Sequence, residues 1–272
     1  MKKLLLLITV FLSLETFSQD YNPNLYYRKL SYKIDKPIDA YLFGNNVRIR
    51  NEPSTTSSEL TKLPINSKIT ILEKTELTYS INGFNANWVK ISYNGLEGYI
   101  LDNFISLASE INEHSSLLIS LKRKKGGTYV VLRYYDFATK EFNESEYRIK
   151  HGNVSFSFCE NINLKNIDHV FKVDYHSEAC GMEGGKDLIF IQESNIIETI
   201  QLSEASDSGV VWIKQDIEFP NAKNKLDNKT IIFHEESGEL IDGSSNWYEK
   251  KITERRHRLI NNIFTPELKS KL

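Results

Sequence analysis

Alternation of apolar and polar residues dominates this chain. Val47 and Ile49 alternate with Arg48 and Arg50, and Ile69 and Ile71 alternate with Lys68 and Thr70. Val89, Ile91 and Tyr93 alternate with Trp88, Lys90 and Ser92. A period of two with polar partners describes strands buried on one face. Asn94-Gly95 predicts a type I′ hairpin, because both central residues of that turn take positive φ, and Gly98-Tyr99-Ile100 opens the returning strand.

Beyond Leu107 the polar stretch Ser109–Ser116 reads as a linker or a short helix. Strand patterns resume over 117–121, 128–135, 146–149, 154–158, 169–175, 188–192, 196–202, 210–213 and 230–234. Gly126-Gly127, Gly184-Gly185, Ser237-Gly238 and Asp242-Gly243 read as the turns between them. The segment Asn246–Phe264, ahead of Pro266, differs. Trp247, Ile252, Leu259, Ile260 and Ile263 show partial helical periodicity among helix-forming residues, which predicts a C-terminal helix.

The N-terminus changes what must be folded. Lys2 and Lys3 precede an apolar run, Leu4–Leu14, and Thr16 and Ser18 flank Phe17, a pattern that suits cleavage before Gln19. The run is shorter than the roughly 20 residues a bilayer span needs. Residues 1–18 are therefore expected to be a signal peptide, and 19–37 an irregular leader. Export follows, to the periplasm or outside the cell, with no transmembrane span left after cleavage.

Composition adds two limits. With 40% hydrophobic and 11% aromatic residues the chain can fill real cores, so wholesale disorder is excluded. A net charge of −2, with Lys and Arg scattered among acids, offers no basic field for nucleic acid. The cysteines, Cys159 and Cys180, are expected to form a disulfide in an oxidising compartment. The bridge would contribute roughly 3 kcal/mol on the chain-entropy model. With His169 and His176 they also make a set that zinc accepts, although the spacing is not that of a common finger.

Residues 45–107 resemble the bacterial SH3-like (SH3b) family. The opening strand and its loop are Val47-Arg48-Ile49-Arg50-Asn51-Glu52-Pro53, followed by Ser54–Ser58. Leu60–Leu63 and Lys68–Leu72 supply the next strands, with Ser67 where glycine is common. Trp88-Val89-Lys90-Ile91, Asn94-Gly95 and Gly98-Tyr99-Ile100 match the closing signature, with Tyr99 in place of a second Trp, and Phe104-Ile105 completes it. The stretch Thr75–Asn87 reads as an insert that lengthens a loop beside Trp88. The resemblance implies a small β-barrel that binds cell-wall peptides or a partner protein through a shallow aromatic groove. Trp88, Tyr99, Tyr79 and Phe84 are the candidate groove residues, since Trp88 points away from Val89 and Ile91. Arg48 and Arg50 are expected to be solvated.

Catalytic patterns are missing. Phe158-Cys159-Glu160-Asn161 and Ala179-Cys180-Gly181-Met182 match no cysteine-peptidase motif, and no nucleophile elbow, His-Glu-x-x-His helix, phosphate loop or dinucleotide fingerprint occurs. The fold expected is mainly β: a small SH3-like barrel over 38–108, then a larger all-β domain over 117–272 ending in a helix. The function expected is non-catalytic binding in the cell envelope without cofactor or metal, to a peptidoglycan peptide or an envelope protein. The alternatives are an envelope hydrolase targeted by the barrel, and a structural or inhibitory protein with the barrel docked internally.

Overall fold

The computed structural model describes residues 37–268 except 82, 177–183, 208–209 and 244–246, and leaves out the side chain of Phe84. The expected signal peptide, 19–36 of the expected leader, and Cys180 lie outside the described residues. Among the described residues the chain is nearly all strand, and its only helical segment is a 3-10 turn at Asp102–Phe104.

The first unit is a six-stranded antiparallel barrel. Its strands are β1 (Ile38–Tyr41), β2 (Val47–Arg50), β3 (Glu59–Leu63), β4 (Lys68–Ile81), β5 (Phe84–Tyr93) and β6 (Leu96–Leu101), in the order β1-β4-β5-β6-β2-β3. The alternation places Val47, Ile49, Ile69, Ile71, Val89, Ile91 and Ile100 in one buried core. Asn94 and Gly95 both carry positive φ, as the type I′ hairpin requires. Gly98 is needed for closure, because a Cβ there would stand 2.4 Å from Ile49 Cγ2 and 2.8 Å from the carbonyl of Arg50. Thr75–Asn87 is not a lengthened loop. It extends the β4–β5 ladder as far as Ile81 opposite Phe84, with register shifts between Ile71/Glu73 and Lys74/Thr78.

The second sheet follows without a linker. Strands β7 (Ala108–Ile111), β8 (Ser115–Lys124), β9 (Gly127–Asp136) and β10 (Phe142–Arg148) form a meander in the order β10-β9-β8-β7. The polar stretch expected as linker or helix is β7 and a tight turn, in which Asn112 Oδ1 accepts the N–H groups of His114 and Ser115, each at 2.8 Å. That side-chain bond is an alternative to continuing either structure.

A third, eight-stranded antiparallel sheet runs in chain order through β11 (Val154–Phe158), β12 (His169–Tyr175), β13 (Gly184–Gln192), β14 (Asn195–Asp207), β15 (Val211–Glu218), β16 (Thr230–Asp242), β17 (Trp247–Ile260) and β18 (Ile263–Thr265). One face of β11–β13 packs on the four-stranded sheet, with Phe171, Val173, Ile189 and Ile191 against Leu117, Ile119, Val130 and Leu132. The opposite face curls into a half-barrel, where Val170, Leu188, Phe190 and Leu202 meet Ile217, Phe233, Leu259 and Phe264. The run Leu188–Ile191 is apolar throughout because β13 is buried on both faces.

The expected C-terminal helix is a strand, β17. His257 and Leu259 are buried while Arg256, Arg258 and Ile260 are exposed, a period of two. Trp247 and Ile252, which suggested a helical face, are 61% and 64% exposed. Pairing with β16 outweighs local helix propensity, and Asn261 and Asn262, both with positive φ, turn the chain into β18. Two expected turns also fall inside strands. Gly185 lies in β13, where a Cβ would stand 2.0 Å from the carbonyl of Leu202, and Gly238 lies in β16 beneath the ring of Trp212.

Candidate functional site

Strand order decides which residues gather outside the barrel. β6 lies between β5 and β2, so the outward residues of all three form one surface. Trp88 stands opposite Leu101, and Tyr99 opposite Arg50. The β4–β5 extension rises beside them and brings Tyr79 and Ile81 over this surface. The result is a recess of about 290 Å³ lined by Arg48, Arg50, Thr55, Tyr79, Ile81, Trp88, Leu101 and Phe104.

The predicted groove residues separate here. Trp88 points away from Val89 and Ile91, as the alternation requires, but it is only 4% exposed and packs with Ala86 and Leu101 as the floor of the recess. Tyr79, 43% exposed, stands at its rim. Tyr99 packs against the Trp88 cluster and does not line the recess. Phe84 opens β5, and its side chain lies outside the described residues. The expectation of solvated arginines holds for Arg48, which pairs with Glu59 at 3.2 Å. It is corrected for Arg50, which is half-buried and donates to the carbonyl of Ser57 at 2.6 Å. Arg48 and Arg50 share a face at a spacing of two, the one signal from which their place in the recess was readable.

The extension is braced from beneath. Asn87 donates its backbone N–H to Asp102 Oδ1 at 3.0 Å and its side-chain amide to the carbonyl of Thr75 at 3.0 Å, while Thr75 Oγ1 donates to the carbonyl of Trp88 at 3.0 Å. The strands carrying Tyr79 and Trp88 are thereby held in one register. An apolar floor with a few fixed polar groups at its rim is the make-up of a ligand-binding recess.

The barrel also docks on the rest of the chain. Ser106 Oγ accepts the N–H of Ile119 at 2.9 Å, and Leu107 N–H reaches the carbonyl of Ile119 at 2.8 Å. Arg133 on β9 lies between the rings of Phe43 and Phe142, its guanidinium carbon 4.0 and 4.2 Å from their centres. It also bonds the Phe43 carbonyl and pairs with Glu144. This contact adjoins the Trp88 recess through Phe104 and Asn45 and leaves it open.

A buried polar centre lies in the second part of the chain. Asp187, 0% exposed, accepts the hydroxyls of Tyr147 and Tyr175, and Gln201 donates to Tyr147 at 3.0 Å. Burial first, and then the Asp187 charge, push both tyrosine pKa values well above the ordinary phenol range. A carboxylate held by hydroxyls between two packed sheets acts as a fastening.

Cys159 has a free, half-buried thiol packed against the half-barrel core, and burial pushes its pKa up. A disulfide to Cys180 is not shown. His169 meets Phe158 edge-on and His176 bonds Ser155, and no cluster of metal-ligating side chains occurs among the described residues. No helix among them is long and apolar enough to cross a membrane.

Comparison with known proteins adds one finding. Residues 45–106 match the family model described as "Bacterial SH3 domain". No curated protein and no solved structure matches the chain. The match runs from the loop before β2 to the residues after the 3-10 turn and so contains every strand that builds the recess. The segment that carries the recess, residues 45–106, is thus the part of the chain that is similar to bacterial SH3 domains.

Proposed function

We propose that this is an exported, non-catalytic binding protein of the bacterial cell envelope, whose SH3 barrel receives an extended cell-wall peptide in the recess over Trp88. One observation carries the reading: a Trp88 floor is joined at one opening by the exposed ring of Tyr79 and the guanidinium of Arg48. Aromatic surface gives contact area at low entropic cost, and a guanidinium pairs with a carboxylate through two parallel hydrogen bonds. A peptide bearing a free carboxylate uses both, exchanging the Arg48–Glu59 pair for its own. Export rests on Lys2, Lys3 and the apolar run Leu4–Leu14.

Retention on purified peptidoglycan tests the reading. Wild type is retained, and Tyr79→Ala and Arg48→Glu each reduce retention at least tenfold, with unchanged circular dichroism. Equal retention of all three proteins overturns it. Soluble fragments released from the peptidoglycan during incubation would turn the reading into the hydrolase alternative. A second reading, a structural protein with its barrel docked internally, draws support from Arg133 between Phe43 and Phe142. It predicts no retention of any variant.

A further inference from the structure

We propose that the chain forms a symmetric dimer by antiparallel pairing of β17 with its own copy about a twofold axis through Ile252. The strand is open on one side. β16 pairs with it along its length, whereas β18 covers the other edge only from Arg258 to Ile260. Among the described residues nothing pairs with the outer edge of Trp247–His257. A long open edge carrying exposed Trp247, Tyr248 and Ile252 is a template for another strand.

Backbone alternation defines which residues face outward. Asn261 and Asn262, with φ of 51° and 66°, form the two-residue turn between Ile260 and Ile263, so those two make the hydrogen-bonded closing pair. Even-numbered residues of β17 therefore direct N–H and C=O outward, and odd-numbered ones direct them to β16. Leu259 agrees, since its N–H bonds the carbonyl of Lys229 on the β16 side. An added antiparallel strand must set even against even.

The self-paired register centred on Ile252 satisfies this rule, sets two opposite-charge pairs and places no like charges face to face. It places Lys250 opposite Glu254, Glu249 opposite Arg255, Tyr248 opposite Arg256, and Ile252 opposite itself. Opposite charges and aromatic pairs directly across a ladder are stabilising, and like charges are destabilising. The neighbouring even registers fail. Centring on Lys251 sets Lys251 against itself, and centring on Thr253 sets Lys251 against Arg255 and Lys250 against Arg256. Ile252 is also the midpoint of the open edge, so the ladder ends where β18 and its copy begin. In the single chain Lys250 pairs with Glu236 at 2.8 Å and Glu254 with His234 at 3.2 Å, both across β16. These contacts hold the two charges on the face where the second copy adds its own. The interface is isologous, so each pair except Ile252 with itself occurs twice.

Sedimentation of the full secreted chain tests the proposal. The expected mass is twice that of one chain. Glu249→Arg and Arg255→Glu each set like charges face to face twice, so each alone sediments as a monomer. Mixed in equal amounts, the two variants pair each reversed charge with its opposite, and the dimer returns. Ile252→Pro removes an outward N–H, leaves the β16 ladder intact, and gives a monomer with unchanged circular dichroism. A monomeric wild type overturns the proposal, as does a dimer that survives Ile252→Pro. Failure of the mixed variants to associate, with both folded by circular dichroism, overturns the register.

Discussion

Tyr147 on β10 donates its hydroxyl to Asp187 on β13 at 2.8 Å, so a strand of the four-stranded sheet and one of the curled sheet share a carboxylate with no exposed surface. Tyr175 on β12 donates to the same oxygen. Replacing Asp187 with Ala strands two buried hydroxyls at once. A buried donor left without its partner costs about 1–3 kcal/mol, so Asp187→Ala is expected to cost on the order of 3 kcal/mol in chemical denaturation. Tyr147→Phe removes one donor and should cost less. A stability unchanged in Asp187→Ala would remove the carboxylate from any fastening role.

The same centre predicts an alkaline limit. The folded-state pKa values of Tyr147 and Tyr175 are raised, by burial first and then by the Asp187 charge. A raised folded pKa means the stabilisation is complete below the unfolded value of about 10 and is lost as pH climbs beyond it. Unfolding free energy should therefore fall steeply above about pH 10, and less steeply in Tyr147→Phe. Tyrosinate absorbance followed against pH should show two phenols that ionise only as the chain unfolds.

Gly98→Ala tests barrel closure. The added methyl meets the Arg50 carbonyl, which belongs to a strand backbone and has little room to retreat. Overpacking of this kind costs about 1–3 kcal/mol, and the joint thermal transition of barrel and sheets should move to lower temperature.

The barrel was legible because each of its strands buries one face and its tightest turn, Asn94-Gly95, carries its own conformational signature. The burial of Trp88 was not legible. Alternation gives the side of a strand, but only the fold of Ile81, Leu101 and Phe104 around that side decides whether it stays open. Tyr79 reached the recess through a hairpin extension that reads as a loop because two register shifts break its pattern. The failure at β17 has another cause. Thr253, Glu254, Arg255 and Arg256 suit a helix locally, and the edge of β16 that claims them is set by residues far away in sequence. Gly238 misread as a turn for a similar reason, since its missing side chain makes room for Trp212 from the neighbouring strand.

Arg133→Ala should loosen the barrel from its neighbour. The guanidinium lies between two rings and is largely enclosed, conditions under which a cation–π contact is worth about 2 kcal/mol. Calorimetry of the wild type should show the barrel and the sheets unfolding together. In Arg133→Ala the barrel should separate as an earlier transition. Arg133→Lys should resemble Ala, because an ammonium lacks the flat fork that stacks on Phe43 and Phe142 while bonding Glu144. One unchanged transition in both variants would show that Ser106 and Leu107 suffice for docking.

Trp88 and Tyr79 should separate stability from binding. Trp88 is floor, enclosed by Ala86, Leu101, Ile81 and Phe104, so Trp88→Ala opens a cavity and should cost about 3–5 kcal/mol in barrel stability. Tyr79 is rim, and its exposed ring contributes little to the folded chain, so Tyr79→Ala should fall within about 0.5 kcal/mol of wild type. Peptidoglycan retention should show the reverse contrast once only folded protein is counted. Tyr79→Ala should lose retention outright. Trp88→Phe, which keeps an aromatic floor, should retain most of it at reduced stability. Strong retention by Tyr79→Ala would place the binding surface elsewhere on the barrel, whatever happens at Trp88.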